Sequence, residues 1–144
     1  MKISTKGIYG VKAMIDLAYY SSSDIVRIRD ISKRQDISER YLEQIFSLLR
    51  KSGLIEGKKG SGGGYVLAKN PKEITMGEIL VALEGKLKVI NSDDYCKDDL
   101  EKCINENLWE KINESIGKVV YNITLEELLE KYKNGRQSDF MYYI

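Results

Sequence analysis

The chain contains no histidine, only two cysteines and a single proline in its 144 residues. Without histidine, neither a Ser-His-Asp nor a Cys-His nucleophile system can be assembled, and imidazole-ligated zinc is excluded with them. Two thiols are too few for a disulfide framework or for a four-thiolate metal site within one chain. Long apolar runs are missing as well. None approaches the roughly 20 residues that a membrane-spanning helix needs, and Met1-Lys2-Ile3 leads into polar sequence rather than a secretory leader. These absences lead to the expectation of a soluble, cytoplasmic protein that is not an enzyme of the common hydrolytic kinds.

What is present can fill a core: 42% of the residues are hydrophobic, enough for one domain or one domain with an appendage. The net charge of +1 conceals an asymmetry. Residues 1–70 carry 13 Lys/Arg against 7 Asp/Glu, whereas residues 71–144 carry 10 against 15. A basic half suits an anionic polymer, although segregation of charge on two solvated surfaces would look the same. The sole proline, Pro71, falls where the balance flips. It marks the expected boundary between a DNA-binding unit, 1–70, and a helical dimerisation and sensor region, 71–144.

Periodicity orders the elements. Ile8, Val11, Ile15 and Ala18, widened by Met14 and Leu17, predict a helix from about Thr5 to Tyr20 with its core face along that stripe. A shorter helix covers about Ile28 to Arg34. Asp36-Ile37-Ser38 reads as a turn, and Ser38 caps a third helix through Tyr41, Leu42, Ile45, Leu48 and Leu49 that stops at Gly53. Leu54-Ile55-Glu56 and Tyr65-Val66-Leu67 then flank a basic, glycine-rich tip and predict a hairpin. Helix, helix, turn, helix and hairpin, in that order, make a winged helix-turn-helix: a mainly α fold with a small β wing. Further on, Thr75-Met76-Gly77-Glu78 and Thr124-Leu125-Glu126-Glu127 are capping boxes that open helices, the first closed by Gly85. Residues 86–100 show no period and are expected to be mostly loop. A long helix is expected over about Asn105 to Tyr121.

The third helix is the candidate reader of DNA. Its start would present Ser38, Glu39, Arg40, Tyr41 and Gln44 outward, with Arg40 suited to guanine or phosphate and Gln44 to adenine. Glu43 can accept from a cytosine amine or repel wrong sequences. An ordinary solvated helix face has the same composition. Lys58 and Lys59, on a hairpin whose glycines let backbone approach a phosphate or the minor groove, favour nucleic acid. A nucleotide-binding loop would need a Gly-Lys-Ser/Thr sequence and a following helix, and neither is there. A protein-interaction module without DNA binding would leave this hairpin without a use. An enzyme would have only scattered carboxylates and lysines as bases.

The long helix needs a surface for its apolar side, Leu108, Ile112, Ile116, Val119 and Val120. The same helix from a second copy is the simplest partner, with Trp109 as an interface or core anchor. Cys96 and Cys103 lie in the most acidic, least periodic stretch. They suit metal binding, thiol redox chemistry, or no function at all. Two thiolates are half the ligands of a two-iron two-sulfur cluster, which Glu106 or Asp99 would have to complete.

Taken together, Lys2-Ile3-Ser4-Thr5-Lys6-Gly7, Ser38-Glu39-Arg40-Tyr41-Leu42-Glu43-Gln44-Ile45-Phe46, Leu48-Leu49-Arg50-Lys51-Ser52-Gly53-Leu54 and Gly60-Ser61-Gly62-Gly63-Gly64-Tyr65-Val66-Leu67 closely resemble the Rrf-two family of bacterial transcription regulators. Leu108-Trp109 and Asn122-Ile123-Thr124-Leu125-Glu126 are similar to its dimerisation helix and the start of its last helix. The resemblance implies a homodimer, with Ser38, Arg40, Tyr41, Glu43 and Gln44 at double-stranded DNA in the major groove and Lys59 in the minor groove. Glu43 falls where IscR-like members discriminate between operators. Cys103 aligns with the last cysteine of cluster-binding members and Glu106 with the nearby histidine of IscR. Only Cys96 lies upstream, so one thiolate is missing, and Ile8 stands where NsrR-like members place a ligating aspartate. The tail Met141-Tyr142-Tyr143-Ile144 is similar to that of CymR-like members, which hold no cluster and answer to cysteine synthase. The expectation is a repressor of iron–sulfur or cysteine/sulfur metabolism genes, with the signal left open between a cluster, thiol oxidation and a protein partner.

Overall fold

The computed structural model describes residues 2–22, 24–60 and 62–142, the last five of them as backbone only. Helix α1 runs Thr5–Tyr20 and is capped by Ser4, whose hydroxyl accepts from the Gly7 amide. Helix α2, Ile28–Gln35, ends on Asp36 in the left-handed conformation, which makes the turn into α3, Glu39–Lys51. Ser38 caps α3, accepting from the Tyr41 amide at 3.2 Å. At the other end, Gly53 at φ 74° returns its amide to Arg50 at 3.0 Å and lets Leu54 bond back to Leu49 at 3.1 Å. This double closure satisfies the last carbonyls and buries Leu54 beside Leu49.

Strands β1, Ile55–Lys58, and β2, Gly64–Leu67, pair antiparallel with Ile55 opposite Leu67 and Lys58 opposite Gly64. Val26, ahead of α2, exchanges both main-chain hydrogen bonds with Tyr65 at 2.8 and 3.0 Å and fixes the wing to the helical unit. A 3-10 turn at Pro71–Glu73 leads to α4, Met76–Glu84, where the Thr75 hydroxyl and Glu78 carboxylate satisfy each other's backbone amides. Three more helices follow: α5 over Ser92–Tyr95, α6 over Asp99–Ile104 and α7 over Glu110–Val120. Helix α8, Leu125–Tyr142, comes last among the described residues, with the Thr124 hydroxyl accepting from the Glu127 amide. The aromatic tail's side chains lie outside the described residues.

One core joins α1 through α4 with the start of α8. Met14, Leu17, Ile31, Leu42, Ile45, Phe46 and Leu49 share it with Ile74, Ile79, Leu83, Leu125 and Leu129, so packing crosses Pro71 without a gap. The starts of α4 and α8 are tied directly: the Met76 amide donates to Ile123 and the Leu125 amide to Ile74, both at 2.8 Å.

Two expectations need correction. The core face of α1 is only partly the expected stripe: Met14, Leu17 and Ala18 are buried, but Ile8 is 57% exposed, and Gly7, Gly10 and Ala13 take the buried place beside them. Small residues win because α4 comes so close that a Cβ on Gly10 would overlap Leu83. Residues 86–100 are mostly loop, as expected, with helix α5 and the start of α6 set into them. Helix α5 has Asp93 and Asp94 in its first turn, and Asp98 caps α6 by accepting from the Glu101 amide at 2.8 Å. Acidic residues at a helix start favour even short turns that carry no amphipathic period. Finally, the long helix begins earlier than Asn105, since α6 runs into α7 through a π-helical turn at Asn105–Trp109.

Candidate nucleic-acid interface

Helix α3 divides cleanly into two faces. Leu42, Ile45, Phe46 and Leu49 are buried, which turns Ser38, Glu39, Arg40, Glu43 and Gln44 outward. Tyr41 departs from the expected outward row. It is half-buried, its ring meeting the Tyr9 ring edge-on at 5.8 Å, so it braces α3 against α1. Arg40, Glu43 and Gln44 line a shallow, open depression together with Ser47, Leu48 and Lys6 of α1. Sequence reasoning missed Lys6 as a site residue, because only the crossing of α1 and α3 brings it there. The available signal was its place in the basic, capped start of α1.

The wing is coupled to the same helix. Phe46, on the buried face of α3, stacks edge-on against Tyr65 of β2 at 5.0 Å. Lys58 and Lys59 are exposed, and Lys58 reaches Glu56 at 3.3 Å. Gly60, Gly62 and Gly63 all have positive φ, so the tip needs glycine there. Beneath it lies a second open depression lined by Arg27, Ile28, Arg29, Gly62, Gly63, Gly64 and Tyr65.

The other expected sites lie elsewhere. Cys96 ends α5 and Cys103 sits inside α6, both exposed. Asn107 donates to the Cys103 carbonyl at 2.8 Å and lies 3.7 Å from its sulfur. Cys96, Cys103 and Glu106 do not form a ligand set: among the described residues no three Cys, Asp or Glu side chains converge on a point. The donor set does not fit a cluster held within one chain. Along α7 no residue is buried; Leu108 is 44% and Val119 58% exposed, with Ile112 and Ile116 half-buried. Trp109 is half-buried with its ring edge-on to Tyr95 at 6.1 Å.

The family described as Rrf2, iron-dependent transcriptional regulator, matches residues 3–131. The chain belongs to the Rrf2 family. It is 40% identical over 131 residues to the transcriptional regulator IscR of Pectobacterium atrosepticum, covering 90% of this chain and 79% of that one. It is 38% identical over 137 residues to an HTH-type transcriptional regulator of Neisseria meningitidis, covering 94% and 92%. Among solved structures, CymR, the global cysteine regulator of B. subtilis, superposes with a TM-score of 0.80 at 36% identity, covering 91% of this chain and 98% of that one. The IscR of T. potens gives 0.75 at 40% identity, covering 94% and 90%. As an Rrf2 protein the chain is a winged-helix transcriptional regulator rather than an enzyme. Among the described residues no helix is long and apolar enough to cross a membrane.

Proposed function

We propose that this Rrf2 protein is a cytoplasmic, homodimeric repressor of iron–sulfur or cysteine/sulfur metabolism genes. Its α3 reads the major groove and its wing follows the adjacent minor groove. The observation that carries this reading is the exposed row Ser38, Glu39, Arg40, Glu43 and Gln44, held in fixed relation to Lys59 through the Phe46–Tyr65 contact. Arg40 and Gln44 supply base-edge contacts, Glu43 selects among operators, and the lysines neutralise phosphate. Dimerisation runs along Leu108, Trp109, Ile112, Ile116 and Val119, a row that its own chain leaves uncovered in part. A two-fold pair would present two α3 helices to successive turns of a palindromic site.

The signal is read without a resident cluster, through Cys96 and Cys103 as thiols or through a protein partner such as cysteine synthase. The dispersed donors support this choice, and so does the structural likeness to CymR. Duplexes selected from a random pool by the wild-type protein test the groove assignment by fluorescence anisotropy. Arg40→Ala and Gln44→Ala should each cut selective binding; undiminished preference in both rejects it. Iron and sulfide content with an absorption spectrum, taken anaerobically, tests the signal. A colourless, iron-free preparation is expected, and charge-transfer bands that vanish in Cys96→Ala or Cys103→Ala would restore the cluster.

A further inference from the structure

We propose that Arg29, with Arg27 beside it and the Gly62–Gly64 backbone as its floor, forms a separate binding site for a DNA phosphodiester at the base of the wing. This rests on the DNA-binding reading above but concerns residues that α3 and the hairpin lysines do not include.

The site is built by the Val26–Tyr65 exchange of hydrogen bonds, which lays the segment before α2 against β2. That contact places Arg27, Ile28 and Arg29 on one wall of an open depression and Gly62, Gly63, Gly64 and Tyr65 on the other. The floor cannot acquire side chains. A Cβ on Gly62 would run into the Arg27 guanidinium, and one on Gly64 would lie 2.8 Å from the Val26 carbonyl oxygen. Gly62 and Gly63 also have φ of 97° and 47°. The Arg27 guanidinium therefore lies over Gly62, and Arg29, exposed in the first turn of α2, lines the same open depression, so a phosphate entering it meets both arginines. Guanidinium groups suit this role because their planar fork can give a phosphate two parallel hydrogen bonds. Of the acids near this wall in sequence or on the hairpin, Asp24 accepts from the Ile25 amide at 2.7 Å, Asp30 is half-buried in the same turn, and Glu56 is engaged with Lys58 at 3.3 Å. That engagement leaves the hairpin with less free positive charge than its two lysines suggest, and Arg29 supplies charge at the point where the wing meets the helical unit.

The function of such a site is positioning: it holds one backbone strand without reading bases. The experiment measures salt dependence on two probes, a pool-selected duplex and an unselected mixed-sequence duplex of equal length. The slope of log K against log salt should lose about 0.9 for each phosphate contact removed. Arg29→Gln should lose that amount on both duplexes and leave their affinity ratio unchanged. Arg27→Lys should keep the slope and Arg27→Gln should lose it, with thermal melting confirming that each variant is folded. The proposal is overturned if the slope is unchanged in both Gln variants, or if the loss is confined to the selected duplex. A wild-type protein that binds neither duplex would instead sink the regulator reading itself.

Discussion

Arg34 of α2 grips the buried carboxylate of Asp16 in α1 with two hydrogen bonds, Nη2 to Oδ1 at 2.8 Å and Nε to Oδ2 at 3.0 Å. Gln35 adds a third at 2.7 Å, and the guanidinium lies 3.8 Å from the centre of the Tyr20 ring. The hydrogen bond to Asp16 raises the arginine's pKa against the opposing effect of its burial. The pair ties the first helix of the helix-turn-helix to α1, which also packs against α3, α4 and α8.

Removing Arg34 should therefore be costly. Arg34→Ala leaves the Asp16 side chain, fully shielded from solvent, with Gln35 as its main partner. A destabilisation of about 3 kcal/mol is expected from such an uncompensated buried charge. Because Arg34 is itself 29% exposed, the loss should fall at the lower end of that class. Urea denaturation with circular dichroism measures it, and a change under 1 kcal/mol, about the size of a surface pair, would show the pair to be dispensable.

The close approach of α1 and α4 predicts that Gly10→Ala destabilises by about 1–3 kcal/mol through overpacking against Leu83. Combining it with Leu83→Ala should give a positive coupling, because truncating Leu83 removes the atoms that the new Cβ meets. Additive effects in the double-mutant cycle would place the strain elsewhere.

Gly53→Ala should cost about 1 kcal/mol, although nothing lies within 4 Å of the added Cβ. The penalty is conformational, arising from φ 74° at the end of α3. Gly117, also with open space but inside α7, is the internal control, and Gly117→Ala should stabilise the helix slightly.

Acid should weaken the start of α4. Burial pushes the Glu78 carboxyl up, but the Thr75 amide and the Lys69 ammonium at 3.1 Å together lower its pKa below the ordinary value. A carboxylate whose folded pKa is depressed contributes stability that is complete above its unfolded pKa and is lost as pH falls through the folded one. Melting temperature followed downward from pH 5.5 should thus fall more steeply in the wild type than in Glu78→Gln. Parallel profiles would remove Glu78 from the account.

Val119→Glu tests the proposed dimer. The side chain is 58% exposed in the single chain, so the substitution should leave protomer folding intact while placing a charge in an apolar interface. Sedimentation should show a shift from dimer to monomer and a matching loss of cooperative DNA binding. An unchanged dimer would put the interface on another surface.

The order of elements, the caps at Ser38, Thr75 and Thr124 and the glycine stop at Gly53 could all be read along the chain. They rest on local interactions, hydrogen bonds within four residues and side chains in the 3.6-residue or alternating rhythm. The exposed row on α3 follows from the same rhythm, since burying Leu42, Ile45 and Leu49 leaves only one direction for Arg40 and Gln44. The sequence did not disclose contacts between residues far apart. Gly10 looks inert until Leu83 of α4 rests on it, and Tyr41 looks wholly outward until Tyr9 meets its ring. Lys6 and Arg29 become candidate site residues only when helix crossings and the Val26–Tyr65 bridge bring them beside α3 and the wing. Periodicity records which side of an element is apolar, but not how closely another element approaches it, and that distance decides between a packed glycine, a buried ion pair and an open groove.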